Sequence, residues 1–342
     1  MAKPSSKEAT IAIVSDIHYA SPAEQARGCT ELKIITQPLV RGLVKAYRHF
    51  LWRRNPFEYN HLVDEFVTRA QDADWIIANG DYSCDTAFVG VCDDASFHSA
   101  EVCLAKLRAP FGERFYATLG DHELGKFSLF GRQGGLRLAS WERARRELSL
   151  PPLWEFRVGH YSLIGIASTV VALPAFESEL LPEERDQWHE VRNDYMRGLR
   201  ETFRRIGSQN RVVLFCHDPT ALPFLWRDEA IRGRLNQLEA TVIGHLHSPL
   251  FLWKAKLLAG MPTIACLGPS IRRMSAALRE GKLWKHFRVR LCPSLGGIQL
   301  LNDGGYLNLT LQRDAERPLR FAFVPMPTRP RSRALSPEAD KP

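Results

Sequence analysis

The sequence of 342 residues lacks the features that mark secreted and membrane-spanning proteins. Its N-terminal segment, MAKPSSKEAT, has no apolar core of a signal peptide. No apolar run reaches the roughly 18 residues that a membrane-spanning helix needs. The seven cysteines are odd in number and show no CxxC spacing, so they do not indicate a disulfide framework. These absences predict reduced thiols and a cytoplasmic protein.

Acidic residues are scarce in two segments, although the whole chain has a net charge of only +8. Residues 41–54 contain five basic side chains and no acid. Residues 271–290 contain seven basic side chains against Glu280 alone. Such concentration indicates an anionic partner (a lipid headgroup, a nucleic acid or a polyanionic substrate) or else two solvated faces.

Short apolar runs that are rich in β-branched residues and end at turn residues predict strands. They are Ile11–Val14, Trp75–Ala78, Phe115–Leu119, Tyr161–Ala167, Val212–Cys216, Thr241–Ile243, Thr263–Leu267, Gly297–Leu301, Tyr306–Leu311 and Arg320–Val324. Apolar spacings of three and four predict helices. They cover Glu58–Ala70, Ala95–Leu107, Leu136–Leu148, Glu183–Ile206 and Asp228–Leu238.

The alternation of strands and helices predicts an α/β fold in which helices cover the sheets. The turn signal at residues 302–305 predicts that part of the sheet is antiparallel. We interpret residues 1–326 as one domain. The proline-rich, charged segment 327–342 is predicted to be a disordered tail.

Carboxylate and imidazole side chains stand directly after five of the predicted strands. These are Asp16, His18, Asp81, Asp121, His217, His245 and His247, with His122 beside Asp121. Ligands gather at the carboxyl ends of strands in open α/β sheets, so these side chains should converge. Their chemistry suits borderline divalent ions such as Mn, Fe, Zn or Co, and their number predicts two ions rather than one. In extended segments residues two apart point to the same side, so Asp16 with His18, and His245 with His247, are expected to act as pairs.

This pattern resembles that of the calcineurin-like metallophosphoesterase superfamily, which is D-x-H, GD, GNH-[DE], a lone His and GHxH. The chain reads DIH at 16–18, GD at 80–81, GDHE at 120–123, His217 and GHLH at 244–247. The resemblance implies a four-layer αββα sandwich and metal-dependent hydrolysis of phosphoric esters or anhydrides. It also implies one ion held by Asp16, His18 and His247, a second held by Asp121, His217 and His245, and Asp81 bridging them.

The resemblance further implies two divalent cations, with Mn as the first choice and Fe, Zn, Co or Mg as alternatives, and a bridging hydroxide that attacks phosphorus. His122 would stabilise or protonate the leaving group without binding metal. Asp121 departs from the family, which usually has Asn there. A third carboxylate makes the centre less positive, so we expect an altered metal preference or pH optimum. Asp85 and Asp218 flank the site and are interpreted as turn or ligand-orienting residues.

Residues 19–57 form an insertion, because one helix suffices to connect the first two strands. Helical spacing within it separates an apolar face from a basic face. A basic amphipathic helix is typical of an interfacial membrane anchor, or of a helix whose apolar face packs on its own domain. The second basic segment, 268–292, carries Leu283, Trp284 and Phe287 among its charges. The residues predicted to bind substrate or membrane are Arg41, Lys45, Arg48, Arg53, Arg272 and Arg273.

The insertion and its charge resemble superfamily enzymes that cleave UDP-2,3-diacylglucosamine at its pyrophosphate in lipid A synthesis. Those enzymes are peripheral on the cytosolic face of the membrane and hold acyl chains under an inserted helical cap. In their best-known type Arg stands where this chain has His122, so this chain is nearer to a second type. The resemblance implies a lipid-linked diphosphate substrate. A nuclease or nucleotide phosphodiesterase is the alternative that the basic segments leave open, and the full ligand set argues against a non-catalytic scaffold.

Overall fold

The computed structural model describes residues 7–129, 133–264, 266 and 269–326. The predicted tail, 327–342, lies outside the described residues. The strands are β1 (Glu8–Val14), β2 (Trp75–Ala78), β3 (Phe115–Ala117), β4 (Leu153–Val158), β5 (Tyr161–Ile166), β6 (Arg211–Cys216), β7 (Leu238–Ile243), β8 (Val289–Leu291), β9 (Gly305–Gln312) and β10 (Arg320–Pro325).

The helices are α1 (Pro22–Arg27), α2 (Thr30–Ile34), α3 (Pro38–Phe50), α4 (His61–Arg69), α5 (Asp94–Phe111), α6 (Leu138–Arg146), α7 (Ser168–Val171), α8 (Arg185–Arg205), α9 (Leu222–Arg227), α10 (Glu229–Arg232), α11 (Pro249–Leu257) and α12 (Pro269–Arg279). In the described part of the chain, none of them is both long and apolar enough to cross a bilayer. All seven cysteines are free thiols, as expected from their spacing.

Two five-stranded sheets form the centre of the fold. The first has the order β10-β9-β1-β2-β3, in which β1, β2 and β3 are parallel and β9 is antiparallel to its two neighbours. The second has the order β4-β5-β6-β7-β8, in which β4 and β5 are antiparallel and the later pairs are parallel. The mixed sheets match the prediction that part of the sheet is antiparallel, but the antiparallel pairs of the first sheet are β9 with β1 and β9 with β10, and residues 302–305 do not join two strands.

The two sheets face each other through an apolar layer, and helices cover their outer faces. Along β1, Ile11 and Ile13 belong to the cluster between the sheets, whereas Ala12 and Val14 belong to the cluster under the helices. Successive side chains of a strand point to opposite faces, so burial of both faces produces the continuous apolar runs seen in the sequence. The predicted four-layer αββα sandwich is confirmed.

Helices α1 to α3 fill the predicted insertion. The N-cap of α1, Ser21, donates its hydroxyl to Ala95 O of α5 at 3.2 Å, and Arg27 pairs with Asp93 at 2.7 Å. In contrast, α3 has no buried side chain. The insertion is therefore a helical cap that is attached through α1 and exposed along α3.

Three predictions of secondary structure are wrong. The helix over Asp228–Leu238 is limited to the single turn of α10, which Asp228 caps, and β7 already begins at Leu238. Thr263 and Ile264 do not lie in a strand, and two residues of the remainder, 265 and 267, lie outside the described residues. Residues 297–301 form turns rather than a strand. There, Gly297 has a φ of +60°, and a Cβ at this position would collide with the backbone of Gly304.

The sequence patterns do not predict β4 or β8. The first of these strands is joined to β5 by a tight turn in which Gly159 has a φ of +58°. The second is only three residues long and lies inside the second basic segment, so its side chains carry no clear apolar period.

Candidate metal centre

The predicted ligands lie where parallel strands of both sheets end, on one side of the sandwich. They are Asp16 and His18 after β1, Asp81 after β2, Asp121 after β3, His217 after β6, and His245 and His247 after β7. Six of the seven are buried, and His245 is partly exposed. The fold thus brings together all seven residues from motifs that are far apart in the sequence.

These residues form two adjoining clusters that share one carboxylate. The first consists of Asp16, His18, Asp81 and His247, and the second of Asp81, Asp121, His217 and His245, with the ligand atoms of each cluster within 4.8 Å of one another. The grouping is the one that the family resemblance implies, including the shared position of Asp81.

The donor atoms within each cluster approach closely. In the first, His247 Nε2 lies 3.2 Å from Asp16 Oδ1 and 3.3 Å from His18 Nε2. In the second, Asp121 Oδ1 lies 3.2 Å from His217 Nε2 and 3.0 Å from His245 Nδ1. Carboxylate oxygens and imidazole nitrogens therefore point into two small common volumes.

Backbone carbonyls set the orientation of two of these imidazoles. His18 Nδ1 lies 3.2 Å from Ser83 O, and His217 Nδ1 lies 2.6 Å from Asn79 O. A carbonyl can only accept, so each Nδ1 carries the proton and each Nε2 faces the cluster. Metal-binding histidines are commonly oriented in this way by a hydrogen bond from the second ring nitrogen.

The donor set fits divalent cations. Asp81 Oδ2 is buried and makes no hydrogen bond of normal geometry among the described residues, although His217 Nε2 lies 3.2 Å from it. The mixture of three carboxylates and four imidazoles suits the borderline ions that the sequence suggests. We conclude that these seven side chains can hold two such ions, one in each cluster.

The backbone at the paired candidate ligands is not extended, so the prediction that they point to the same side as alternate residues of a strand is wrong. Asp16, His18, His245 and His247 have φ values of +50°, +52°, +57° and +60°. The left-handed region is unfavourable for residues with a Cβ, and such strain concentrates at functional sites. The members of each pair therefore converge through left-handed turns and not through the two-residue repeat of a strand.

Two glycines of the motifs permit the close approach of the loops. A Cβ at Gly120 would collide with Asp81, and a Cβ at Gly244 would collide with Ser15 and Asp16. The glycines that precede Asp121 and His245 are therefore required by packing between neighbouring strand ends.

Glu123 supports the centre, although the sequence analysis gave it no role. It is buried, and its carboxylate accepts hydrogen bonds from Gly120 N at 2.8 Å, Asp81 N at 3.1 Å and Tyr82 N at 2.8 Å. It thus ties the loop after β2 to the loop after β3. Its position at the end of the GDHE motif is the sequence feature that could have indicated this supporting role.

Asp85 and Asp218 make the hydrogen bonds of turn residues. Asp85 Oδ1 accepts from Val89 N and Gly90 N, and Asp218 Oδ1 accepts from Thr220 N. Neither belongs to the two clusters of potential ligands.

His122 lies beside the clusters without joining them. Its Nδ1 is 3.0 Å from Cys84 O, and its Nε2 is 3.7 Å from Asp81 Oδ2. Burial and the nearby Lys126 ammonium lower its pKa, against the opposing effect of Asp81 and Asp121. The carbonyl of Cys84 therefore orients the imidazole with Nε2 on the side of the centre.

Charge within the centre is distributed unevenly. Burial raises the pKa of Asp16 to about 6, although His217 opposes the shift. Burial also acts to raise the pKa of Asp121, but Lys126 and His245 outweigh it and hold that pKa well below its ordinary value. Asp121 is consequently ionised at neutral pH.

Two cavities open beside the centre, and five residues line both of them: Glu31, Trp52, Phe88, Lys126 and His247. One, of about 210 Å³, lies under the cap and is lined by His18, Arg48, Arg53 and His122. The other, of about 330 Å³, has apolar walls that include Phe127, Leu129, Leu246, Met274, Leu278 and Trp284. A substrate with a charged part and an apolar part would match this arrangement.

The basic residues predicted to bind substrate or membrane are placed differently from one another. Arg53 is only 3% exposed, which excludes it from a membrane surface, and with Arg48 it lines the smaller cavity. Arg273 lines the larger cavity and pairs with Glu179. Arg41 is exposed and donates to Ile35 O at 2.9 Å. Lys45 and Arg272 are exposed.

Most of the second basic segment faces away from the centre. Lys282, Lys285, Arg288 and Arg290 line a further cavity of about 790 Å³ together with Lys256. This cavity lies at the N-terminal ends of β7, β8 and β10, whereas the candidate ligands follow the C-terminal ends of their strands.

Comparison with known proteins agrees with this geometry. The sequence profile of the calcineurin-like phosphoesterases matches residues 9–249. Among solved structures, a dimetal phosphatase from Danio rerio is 14% identical, covers 92% of this chain and 95% of its own, and has a TM-score of 0.50. A phosphopantetheinyl hydrolase from Mycobacterium tuberculosis is 16% identical over 71% of this chain and 84% of its own, with a TM-score of 0.33. No curated protein sequence matches the chain.

The profile match spans all the motifs from Asp16 to His247, and the zebrafish structure shares the fold over nearly its whole length. The chain is therefore a metal-dependent phosphoester hydrolase that belongs to the calcineurin-like phosphoesterase family.

Proposed function

We propose that the protein cleaves a diphosphate carried by a lipid and presented at a membrane surface, of the kind represented by UDP-2,3-diacylglucosamine. The observation that supports this most strongly is the row of exposed apolar side chains on α3, next to the cavities of the metal centre. Lipid A synthesis is the corresponding cellular role. The proposal concerns the substrate, since phosphoester hydrolysis follows from family membership.

The residues of the centre have distinct roles in this proposal. Asp16, His18 and His247 would hold one divalent ion, Asp121, His217 and His245 the other, and Asp81 would contact both. Such a pair of ions, with Mn as the first choice, supplies Lewis acidity toward phosphate oxygens and a lowered pKa for water.

Side chains around the ions would orient the substrate. Arg48, which pairs with Glu31 at 3.1 Å, and Arg53 line the smaller cavity, where their remaining N–H donors can bind phosphate oxygens. Arg53 is held in place by Gly297 O at 3.0 Å and by Ser294 Oγ. His122 would deliver a proton to the leaving oxygen from Nε2, since its Nδ1 is engaged by Cys84 O.

The apolar side chains of α3 support contact with a membrane. Leu39, Leu43 and Phe50 are 84%, 72% and 64% exposed, and Tyr47 lies beside them. A helix that packs on its own domain would bury such residues, so the structure does not favour that alternative reading of the amphipathic pattern. Large exposed apolar patches with basic neighbours mark membrane or partner surfaces.

Neighbouring segments extend this apolar surface around the centre. Leu300 N donates to Leu51 O at 3.2 Å, so the exposed Leu300 and Leu301 lie beside the end of α3. Phe251 of α11 packs against Trp52 with ring centroids 5.3 Å apart, and α11 exposes Trp253 and Leu257. We name α3, residues 299–301 and α11 the apolar rim. A lipid-linked diphosphate bound at the rim could keep its acyl chains in an apolar environment while its diphosphate reaches the centre.

The test is a comparison of three substrates with Mn²⁺-loaded protein: UDP-2,3-diacylglucosamine in detergent micelles, bis-p-nitrophenyl phosphate and single-stranded DNA. We expect hydrolysis of the lipid-linked diphosphate with the highest kcat/KM and a dependence on detergent concentration. Preferential cleavage of DNA, with affinity that falls steeply as salt rises, would instead favour a nuclease. Failure to cleave the lipid-linked substrate would refute the proposal.

Polar substitution of α3 is expected to abolish vesicle binding. Each fully buried large apolar side chain contributes about 1.5–3 kcal/mol, so a Leu39→Ser, Leu43→Ser, Phe50→Ser variant should bind anionic vesicles at least about 10²-fold more weakly. Co-sedimentation with phosphatidylglycerol vesicles measures this. Phe323→Ser, which removes another exposed apolar side chain from β10, is the matched control. Equal binding by the triple variant and the control would exclude α3 as the membrane contact.

A further inference from the structure

Lys126 lies next to the residue at which this chain departs from its family. Its Nζ is 2.7 Å from Asp121 Oδ2, and both side chains are largely removed from solvent. Asp121 uses its two oxygens differently, because Oδ1 faces His217 and His245 in the second cluster. The amide nitrogen of an Asn would occupy the position of one of these oxygens and could not accept a hydrogen bond from the lysine.

The local chain path brings Lys126 back to Asp121. Leu124 N and Gly125 N both donate to Asp121 O, at 3.2 and 3.0 Å, which forms a turn. Gly125 has a φ of +90°, and a Cβ there would collide with Val89 and Gly135 O. The segment DHELGK, residues 121–126, is therefore shaped so that its last residue contacts its first.

The lysine also faces the open space beside the centre. It lines both cavities beside the centre, on the wall that they share. An ammonium group has three hydrogens, and the bond to Asp121 uses one of them. Asp121 is the sole hydrogen-bond partner of Lys126 among the described residues, so its other donors remain available to a phosphate.

The charge of the centre changes when Lys126 is included. Asp121 adds one negative charge relative to a centre with Asn, and a lysine at this distance supplies one positive charge. The ligand set together with Lys126 thus has the net charge of a ligand set with Asn, and the positive charge lies on the side of the cavities. The third carboxylate alone would make the centre attract phosphate less strongly, and the nearby ammonium of Lys126 opposes that effect.

We propose that Asp121 and Lys126 act as a pair that replaces the usual Asn: Asp121 binds metal through Oδ1, while Lys126 neutralises Oδ2 and binds a phosphate oxygen of the substrate. The inference rests on the proposed metal centre but not on the lipid-linked substrate. Lys126 is accordingly a substrate-binding residue, and its partnership with Asp121 is the specific claim.

Metal affinity tests the partnership independently of activity. In Asp121→Asn the lysine charge is left unbalanced beside the ions, so Mn²⁺ should bind about 10-fold or more weakly in calorimetric titration. Adding Lys126→Met to this variant removes the unbalanced charge and should bring affinity back to within about threefold of wild type, which is a non-additive result. Lys126→Met alone should bind Mn²⁺ at least as tightly as wild type.

Substrate kinetics test the contact with phosphate. With bis-p-nitrophenyl phosphate, Lys126→Met should raise KM about 10-fold with a smaller change in kcat, and Lys126→Arg should restore most of the loss. The matched control is the exposed pair Lys106 and Asp64, whose Nζ–Oδ1 distance is 2.6 Å. Lys106→Met, Asp64→Asn and their combination should leave Mn²⁺ affinity and KM unchanged.

Two results would overturn the proposal. One is equal Mn²⁺ affinity of Asp121→Asn and the double variant, which would show that Lys126 does not balance Asp121. The other is an unchanged KM in Lys126→Met. Neither measurement uses a lipid substrate. A failure to hydrolyse UDP-2,3-diacylglucosamine would therefore not contradict the pairing of Asp121 with Lys126. Likewise, neither of the two results above would contradict the proposal of a lipid-linked substrate.

Discussion

Asp81→Asn is expected to lower kcat for bis-p-nitrophenyl phosphate by roughly 10³-fold or more, the largest effect of any single substitution in the centre. Asp81 is the one residue common to both clusters of ligand atoms. Its Oδ2 is buried and faces His217 Nε2 at 3.2 Å, so Asn would keep the shape while removing the charge that the two ions would require. The variant isolates electrostatics from packing, because the two side chains are nearly isosteric.

Metal content supplies the second readout for this variant. After gel filtration in metal-free buffer, wild-type protein should retain about two ions per chain and Asp81→Asn about one or fewer, as measured by plasma mass spectrometry. Asp194→Asn, at an exposed ion pair on α8, is the control. Two retained ions together with near-normal kcat in Asp81→Asn would show that Asp81 does not bridge the ions.

The convergence of the candidate ligands could be predicted from the sequence because the signal is local. Each lies within a few residues of the end of a buried strand, and parallel strands bring such ends together. The backbone geometry could not be predicted in the same way. Asp16 and His18 adopt left-handed conformations that depend on hydrogen bonds to the loop after β2, including Asp16 N to Gly80 O at 3.1 Å.

The surroundings of the ligands were harder to predict, since they depend on contacts between distant segments. Arg53 belongs to a basic run that favours solvent exposure, yet it is buried against residues 294–297. Lys126 belongs to none of the sequence motifs, and its contact with Asp121 depends on the turn that brings the two residues together. A charge count that is limited to the predicted ligands therefore leaves out the ammonium of Lys126, which balances the extra carboxylate of Asp121.

The cap illustrates how one pattern can have two physical meanings. An amphipathic basic helix predicts either burial of its apolar face or contact with a membrane. The periodicity is identical in the two cases, and only the tertiary contacts distinguish them. In this structure α1 is attached to α5 while α3 keeps Leu39, Leu43 and Phe50 exposed, so the apolar face is not buried in its own domain.

His122→Ala is expected to lower kcat by about 10²–10⁴-fold for substrates with poor leaving groups and by much less for p-nitrophenyl esters. The physical reason is that a stable phenolate can depart without a proton, whereas a more basic oxygen needs one. A series of aryl phosphodiesters with leaving groups of rising pKa measures this as a steeper dependence of log kcat on leaving-group pKa in the variant. His98→Ala, at an exposed ion pair on α5, is the control.

The pH dependence of kcat in the same variant tests the proton transfer from His122 independently. Burial and Lys126 lower the pKa of His122, so the imidazolium that can donate a proton becomes more populated as the pH falls below the ordinary range of histidine. The ratio of wild-type to variant kcat for the poorest leaving group should therefore be greater at about pH 6 than at about pH 8. A uniform loss across the ester series and across this pH range would mean that His122 stabilises the bound phosphate rather than protonating the leaving oxygen.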